Sequence, residues 1–335
     1  MFDYELITKQ QEELSKKILA GMYPNSKFSS EERELKALKD VKWMLMFIIE
    51  ALKVNNKRIV INIIIWLKRL MKSLDIGEEH IDLLFLVTKQ VLDEEFHNHE
   101  VNSFLDSINK NDFVVLNQST NLKFCEEKEA YLNALLESNR NGAQKVINDM
   151  LSNNVSIEDI YQYVFTEAMR NVGELWHDGK ISVGVEHYCT AVTQYMMSSM
   201  YDKIFSSERK DKKLMACAVG SELHEMGIRM VTDIFELNGW DTYYLGANLP
   251  IPEIIGFAKK HNPDIIALSI TMPYHLGLLK ETIDKIKSDS DLKEIKIIVG
   301  GLPFIDNDEL SRSLGADGYA SNASEGLSVA NELLL

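Results

Sequence analysis

The chain is poor in cysteine, in basic residues, in long apolar runs and, over most of its length, in proline. Its three cysteines, Cys125, Cys189 and Cys217, lie far apart with no CxxC spacing. That argues against a disulfide framework or a thiolate metal knuckle, and it fits a reduced, cytoplasmic protein in which each thiol is a small buried apolar group. Lys and Arg number 36 against 51 Asp and Glu, a formal net charge of −15. Phosphate contacts need clustered positive charge, so no direct nucleic-acid binding is expected. The most apolar stretch, Ile59 to Leu67, is too short to span a bilayer and is flanked by charge. The N-terminus opens acidic and polar, unlike a signal peptide. No proline falls between Pro24 and Pro250, so nothing interrupts long helices there.

What is present suits a soluble globular chain: 335 residues, 45% hydrophobic and 26% charged, enough for two or three cored domains. Residues 1–120 read as an all-helical N-terminal domain with a sensory or partner-binding role. A helix starts at Ser29-Ser30-Glu31-Glu32 and carries Val41, Leu45, Ile48, Ile49 and Leu52 at helical spacing. A second carries Val60, Ile63, Ile64, Leu67, Leu70 and Met71 and stops near Gly77; a third runs from about Glu78 to Phe96. Trp43 and Trp66 are expected in the core. His97 and His99, two apart, point to different helix faces and make a poor metal pair. Val101 to Lys123 is polar and Asn-rich and reads as a junction. Residues 126–207 read as a four-helix bundle, followed by the charged linker Ser206 to Lys213.

From residue 213 to 335 the pattern alternates. Apolar strands are expected at Leu214–Val219, Thr242–Leu245, Ile265–Ile270, Ile295–Val299 and Gly318–Ala320, with helices between them. Such alternation implies a doubly wound, Rossmann- or flavodoxin-like parallel sheet with its ligand at the strands' carboxyl ends. The fold class is therefore α and α/β: an all-helical domain, a bundle and a C-terminal α/β domain.

The first such strand end carries Glu222-Leu223-His224-Glu225-Met226-Gly227. A carboxylate two places before a histidine can take the proton of one ring nitrogen and leave the other lone pair for a metal. Gly227 would let the backbone pass close to something bulky. The third strand ends in Ser269-Ile270-Thr271 and the fourth in Gly300-Gly301; hydroxyls beside a glycine pair would line a slot for a long polar tail. Together these residues resemble the cobalamin-binding domain of the base-off, His-on type. By that resemblance His224 is the lower cobalt ligand, Glu222 orients it where many relatives have Asp, and Gly227, Ser269, Thr271, Gly300 and Gly301 hold the cofactor.

The bundle carries Trp176-His177, then Glu186-His187, with nine residues between Trp176 and Glu186. This spacing resembles the CarH-type cobalamin photoreceptors, in which a helical cap covers the corrin's upper face. The resemblance implies adenosylcobalamin as cofactor, Trp176 packed on the adenosyl group, Glu186 and His187 flanking it, and His177 as upper cobalt ligand once light has broken the Co–C bond. The expected function is a light sensor, not an enzyme, that signals by altered domain packing to an unknown protein effector or through self-association. The N-terminal domain lacks that family's DNA-binding helices. It is similar to the domain that precedes cobalamin modules in some stand-alone sensors, the photocobilins, which implies a non-covalent second chromophore such as biliverdin. The rival expectation is a corrinoid carrier protein of a methyltransferase system, which shares the bundle and the cobalamin domain.

Overall fold

The computed structural model describes residues 4–24, 28, 30–73, 75–108, 123–305 and 308–335. It divides into two units, Met1–Gln118 with His177–Gly179, and Ser119–Trp176 with Lys180–Leu335. Among the described residues no helix is long and apolar enough to cross a membrane.

The first unit is built from α1 (Glu5–Lys9), α2 (Gln11–Met22), α3 (Glu31–Lys53), α4 (Lys57–Ser73), α5 (Glu79–Phe96) and α6 (His99–Asp106). Ser30 caps α3 by accepting from the Arg33 N–H at 3.3 Å, with Glu31, Glu32 and Glu34 in the first turn. The buried stripe of α3 is Val41, Met44, Leu45, Ile48, Ile49 and Leu52. Trp43 falls off that stripe and is 45% exposed, which corrects its assignment to the core. The junction also needs correcting. Asn98 accepts from the Val101 N–H at 3.0 Å and starts α6, which buries Val101 and Leu105. The rest of the proposed junction, 109–122, lies outside the described residues.

The second unit opens with α7 (Cys125–Leu136), α8 (Arg140–Ser152), α9 (Ile157–Asp159), α10 (Thr166–His177, whose last residue belongs to the first unit), α11 (Val183–Ser199) and α12 (Tyr201–Ile204). Between α9 and α10, Ile160–Phe165 winds as a π-helix, a form often found at functional sites. The bundle core includes Tyr131, Leu135, Ile147, Phe165, Val172 and Met196. Tyr131 lies 3.0 Å from the Thr193 hydroxyl, so its polar end is satisfied.

The α/β half follows as β1 (Lys213–Ala218), α13 (Met226–Leu237), β2 (Asp241–Tyr244), α14 (Ile251–His261), β3 (Ile265–Ser269), α15 (Leu276–Ser288), β4 (Lys296–Gly300), α16 (Asp308–Ser313), β5 (Gly318–Tyr319) and α17 (Ala323–Leu333). The five strands are parallel in the order β2-β1-β3-β4-β5. The order reverses between β1 and β3. In open α/β sheets ligands bind at that crevice, outside the strands' carboxyl ends. The register pairs Ala218 with Ser269 and Ser269 with Gly300, which brings the loops after β1, β3 and β4 level.

Helix α13 is shared between the two halves of this unit. Ile228 and Phe235 join the sheet core, while Met230 and Ile234 join the bundle core. Polar contacts follow the same division. The Tyr161 hydroxyl donates to Asp233 Oδ2 at 2.8 Å, and Arg229 reaches Ser198 Oγ at 2.6 Å and the Tyr201 hydroxyl at 2.9 Å. The charged stretch before β1 is no loose linker. Ser207 Oγ donates to the Leu237 carbonyl at 2.5 Å, Arg209 Nη1 to that of Trp240 at 2.8 Å, and the Lys210 N–H to that of Gly239 at 2.8 Å.

Candidate functional site

At the switch point, the loop from β1 into α13 carries Glu222 and His224, and Glu222 is the hub. Its side chain is only 1% exposed, yet it is fully provided with donors. Oε1 accepts from the N–H of Leu223 and of His224, both at 3.0 Å, and from His224 Nδ1 at 2.5 Å. Oε2 accepts from the N–H of Thr271 and Met272, both at 2.8 Å, and from His275 Nδ1 at 3.2 Å. One carboxylate therefore ties the loop after β1 to the loop after β3, across the crevice. Burial pushes the carboxyl up, but the bonds from His224, His275 and the backbone outweigh it and hold the group well below the usual carboxylate range. The extra methylene of Glu over Asp still allows the side chain to hold His224 and the β3 loop together.

His224 is the exposed end of this arrangement, with its side chain 60% accessible. A carboxylate can only accept, so Nδ1 carries the proton and Nε2 faces outward. Among the described residues none engages Nε2. The bond to Glu222 raises the imidazole's pKa against the opposing effect of burial, and the charges of Glu222 and Glu186 add to the rise. Glu186 sits in the first turn of α11, where it accepts from Thr190 Oγ1 at 3.0 Å and bonds His187 Nδ1 at 2.5 Å. Gln194, two turns on, donates to Glu225 Oε1 at 3.4 Å. The amino end of α11 thus lies within electrostatic reach of the His224 loop.

The other expected residues divide. Thr271 joins the hub through its backbone. Ser269 ends β3 and is nearly buried, its carbonyl accepting from the Val219 N–H at 3.1 Å. Gly301 has φ +108°, and a Cβ there would lie 1.9 Å from the Ile270 carbonyl oxygen, so the protein's own loop packing already requires glycine. A Cβ on Gly300 would lie 3.1 Å from the Ala320 carbonyl oxygen. A Cβ on Gly227 would meet nothing within 4 Å, which leaves the approach beside His224 open. Trp176 is 39% exposed, and its side chain makes no ring contact or hydrogen bond with another described residue.

His177 is corrected most. Its ring is 5% exposed and stacks on Trp66 at 4.6 Å and 17°, with Nε2 2.8 Å from the Trp66 carbonyl oxygen. Arg69 Nε pairs with Asp178 Oδ1 at 2.6 Å, and Ser73 Oγ lies 3.0 Å from the His177 carbonyl. These contacts fall within the first unit. Burial pushes the imidazole below the ordinary histidine range. Both its stacking face and Nε2 are engaged, so the structure does not present it as a free ligand.

Sequence reasoning missed His275 and Ser221. His275 closes the 3₁₀ turn Pro273–His275 and is 4% exposed, with Nε2 3.0 Å from Ser221 Oγ. Its signal was available: it is a histidine in the loop after β3, at the same sheet edge as His224.

The B12 binding domain family matches residues 212–328, and a second family, also described as a B12 binding domain, matches residues 127–200. The chain is similar to dimethylamine corrinoid protein 3 of Methanosarcina acetivorans, 28% identical over 179 residues that span 53% of this chain and 83% of that protein. It is 32% identical to dimethylamine corrinoid protein 3 of Methanosarcina mazei over 116 residues, 35% of this chain and 68% of that protein. The Methanosarcina barkeri monomethylamine corrinoid protein shares the fold, with a TM-score of 0.56 and 20% identity over 63% of this chain and 99% of that one.

These relatives overturn the light-sensor expectation, because they are corrinoid proteins of methylamine systems and not photoreceptors. The adenosyl upper ligand, the signalling role and the bilin were inferred from that expectation and lose their support with it. Trp176 stands in the last turn of α10, and Glu186 and His187 stand near the start of α11, with a short turn between the two helices.

Proposed function

The chain belongs to the B12-binding, corrinoid protein family, and from that premise we propose that it is a corrinoid carrier of a methyltransferase system, not itself the catalyst. The observation that carries this reading is an exposed imidazole whose Nδ1 is fixed by a buried carboxylate at the crevice between β1 and β3. That donor set fits a corrin bound from below: one ring nitrogen aimed outward, able to ligate once it is deprotonated, with open space at Gly227. His224 would be the lower ligand and Glu222 its orienting group. Ser269 and Thr271, and the glycine pair beside them, would border the cofactor's tail. Glu186 and His187 would lie toward its upper side, with Trp176 at the rim.

Bound there, the corrin supplies the cobalt that takes up and hands on a methyl group. The chain's part is to hold Nε2 in place, to keep the buried carboxylate charged, and to cover the site with the bundle through α13. The upper group is proposed to be methyl, not adenosyl. Residues 1–126 lie outside both matched ranges, and we assign them to docking a partner of the methyl-transfer system.

The test is reconstitution of the apo-protein with cob(II)alamin. One corrin per chain is expected, with a single-nitrogen splitting in the electron paramagnetic resonance spectrum. His224→Ala should abolish the splitting and His177→Ala should preserve it. Loaded with methylcobalamin, the protein should pass its methyl group to a thiol acceptor when a partner methyltransferase is present. A chain that takes up no corrin refutes the reading, and splitting that persists in His224→Ala refutes the ligand assignment.

A further inference from the structure

We infer that Asp233 is a pH-dependent release for the helical bundle: a buried charge that opposes the packing of the bundle on α13 and is relieved when the two separate. The inference rests on the carrier reading for its purpose, since a methyl group covered by the bundle reaches a partner enzyme only when the bundle moves aside. Its geometry lies wholly within the second unit.

The interface is apolar around a single carboxylate. Met230 and Ile234 of α13 join the bundle core, and Thr166 of α10 sets its hydroxyl 3.6 Å from Met230 Sδ. Asp233, on the same helix, is buried there. Among the described residues its side chain has one hydrogen bond, from the Tyr161 hydroxyl at 2.8 Å, and no ion pair. Arg229 stands one turn earlier on α13, but its Nη2 is engaged by Ser198 and Tyr201, and its guanidinium lies over the Tyr201 ring at 5.5 Å. The titratable groups facing Asp233 are the Tyr161 hydroxyl from the π-helix, the Tyr201 hydroxyl from α12, and Arg229 and Glu236 from α13 itself. Glu236 turns away to Arg209 and Thr242. On the other side of α13 the sheet and α17 offer apolar residues, among them Leu214, Ile265 and Ala330.

One neutral donor does not replace the water that an ionised carboxylate loses on burial. Burial therefore outweighs Tyr161 and Arg229 and raises the carboxyl from 3.8 to about 6. Below 3.8 the group is neutral in both arrangements and the bundle seats without penalty. As pH rises through about 6 the closed arrangement comes to hold an uncompensated charge, which separation returns to water. Closure is thus tighter in acid, the reverse of an interface held by a salt bridge.

The test compares two methionines. Met230 lies at the bundle face of α13 and Met215 within β1, and both are buried. The full-length apo-protein is treated with dilute hydrogen peroxide, and sulfoxide at each methionine is followed by peptide mass spectrometry. Met230 should oxidise about tenfold faster at about pH 8 than at about pH 5, the ratio that carboxyl values of 3.8 open and about 6 closed give. Met215, reached only by unfolding of the sheet, should oxidise at least about tenfold more slowly than Met230 at about pH 8. Asp233→Asn keeps an acceptor for Tyr161 without the charge and should remove the pH dependence at Met230. Tyr161→Phe takes away the one donor and should speed Met230 further at the higher pH.

A Met230 rate that is the same at both pH values, or that rises as much in Asp233→Asn as in the wild type, overturns the inference while the carrier reading stands. Oxidation of Met230 no faster than that of Met215 also overturns it, because unfolding alone would then expose the interface. A chain that keeps the pH dependence at Met230 but takes up no corrin refutes the carrier reading and leaves the release standing.

Discussion

Glu222→Gln exchanges one carboxylate oxygen for an amino group of nearly the same shape. Oε1 faces three donors, the N–H groups of Leu223 and His224 and His224 Nδ1. Oε2 faces three more, the N–H groups of Thr271 and Met272 and His275 Nδ1. Either orientation of the amide therefore sets an NH₂ against three donors inside a buried site. A hydrogen bond to a charged group contributes about 1.5–3 kcal/mol. The three are not additive, and the cost of breaking a buried charge pair, about 3–5 kcal/mol, bounds the sum. His224→Ala removes one bond from a side chain that is 60% exposed and should cost about 1 kcal/mol. Amide exchange at Thr271 and Met272 in the apo-protein separates the two. Glu222→Gln should speed it about 10²- to 10⁴-fold, and His224→Ala less than about tenfold. Equal acceleration by both, or none in Glu222→Gln, would refute the hub. The pH dependence has a fixed sign. The folded-state pKa lies below the ordinary 4.5, so the stabilisation is complete above that value and is lost as pH falls toward the folded-state pKa. The difference between wild type and Glu222→Gln should shrink over that acid range.

Three further outcomes are expected. Burial pushes Asp233 from 3.8 up to about 6, against the pull of Tyr161 and Arg229. Its contribution is therefore complete below 3.8 and lost as pH rises through about 6, a change of about 3 kcal/mol at most. Asp233→Asn keeps an acceptor for the Tyr161 hydroxyl, so its urea midpoint should vary less with pH across that window; an unchanged slope would refute the assignment. Gly227→Ala adds a Cβ to open space in the first turn of α13, so apo stability should hold or rise by about 0.5–1 kcal/mol while corrin uptake weakens. A melting point that falls, or uptake that does not change, counts against the open approach. Gly301→Ala forces a side chain into φ +108° and onto the Ile270 carbonyl, and should cost more than about 1–3 kcal/mol in thermal or urea unfolding.

Local geometry was legible without coordinates. Helical spacing located α3, α4 and α5, and the apolar runs located the five strands to within about a residue at most ends. Glu222 and His224 were readable as a pair because they are two residues apart and need only one loop to meet. Tertiary structure alone decided what lies 49 to 53 residues away along the chain: Thr271, Met272 and His275 gather on Glu222 because β1 and β3 are parallel neighbours with Ala218 level with Ser269. It also placed Tyr161 on Asp233, and it took His177 to Trp66 across 111 positions. Periodicity and short-range spacing follow from backbone geometry, which each segment carries in itself. Contacts across the sheet, and the chemistry they support, depend on strand order and register, which no single segment encodes.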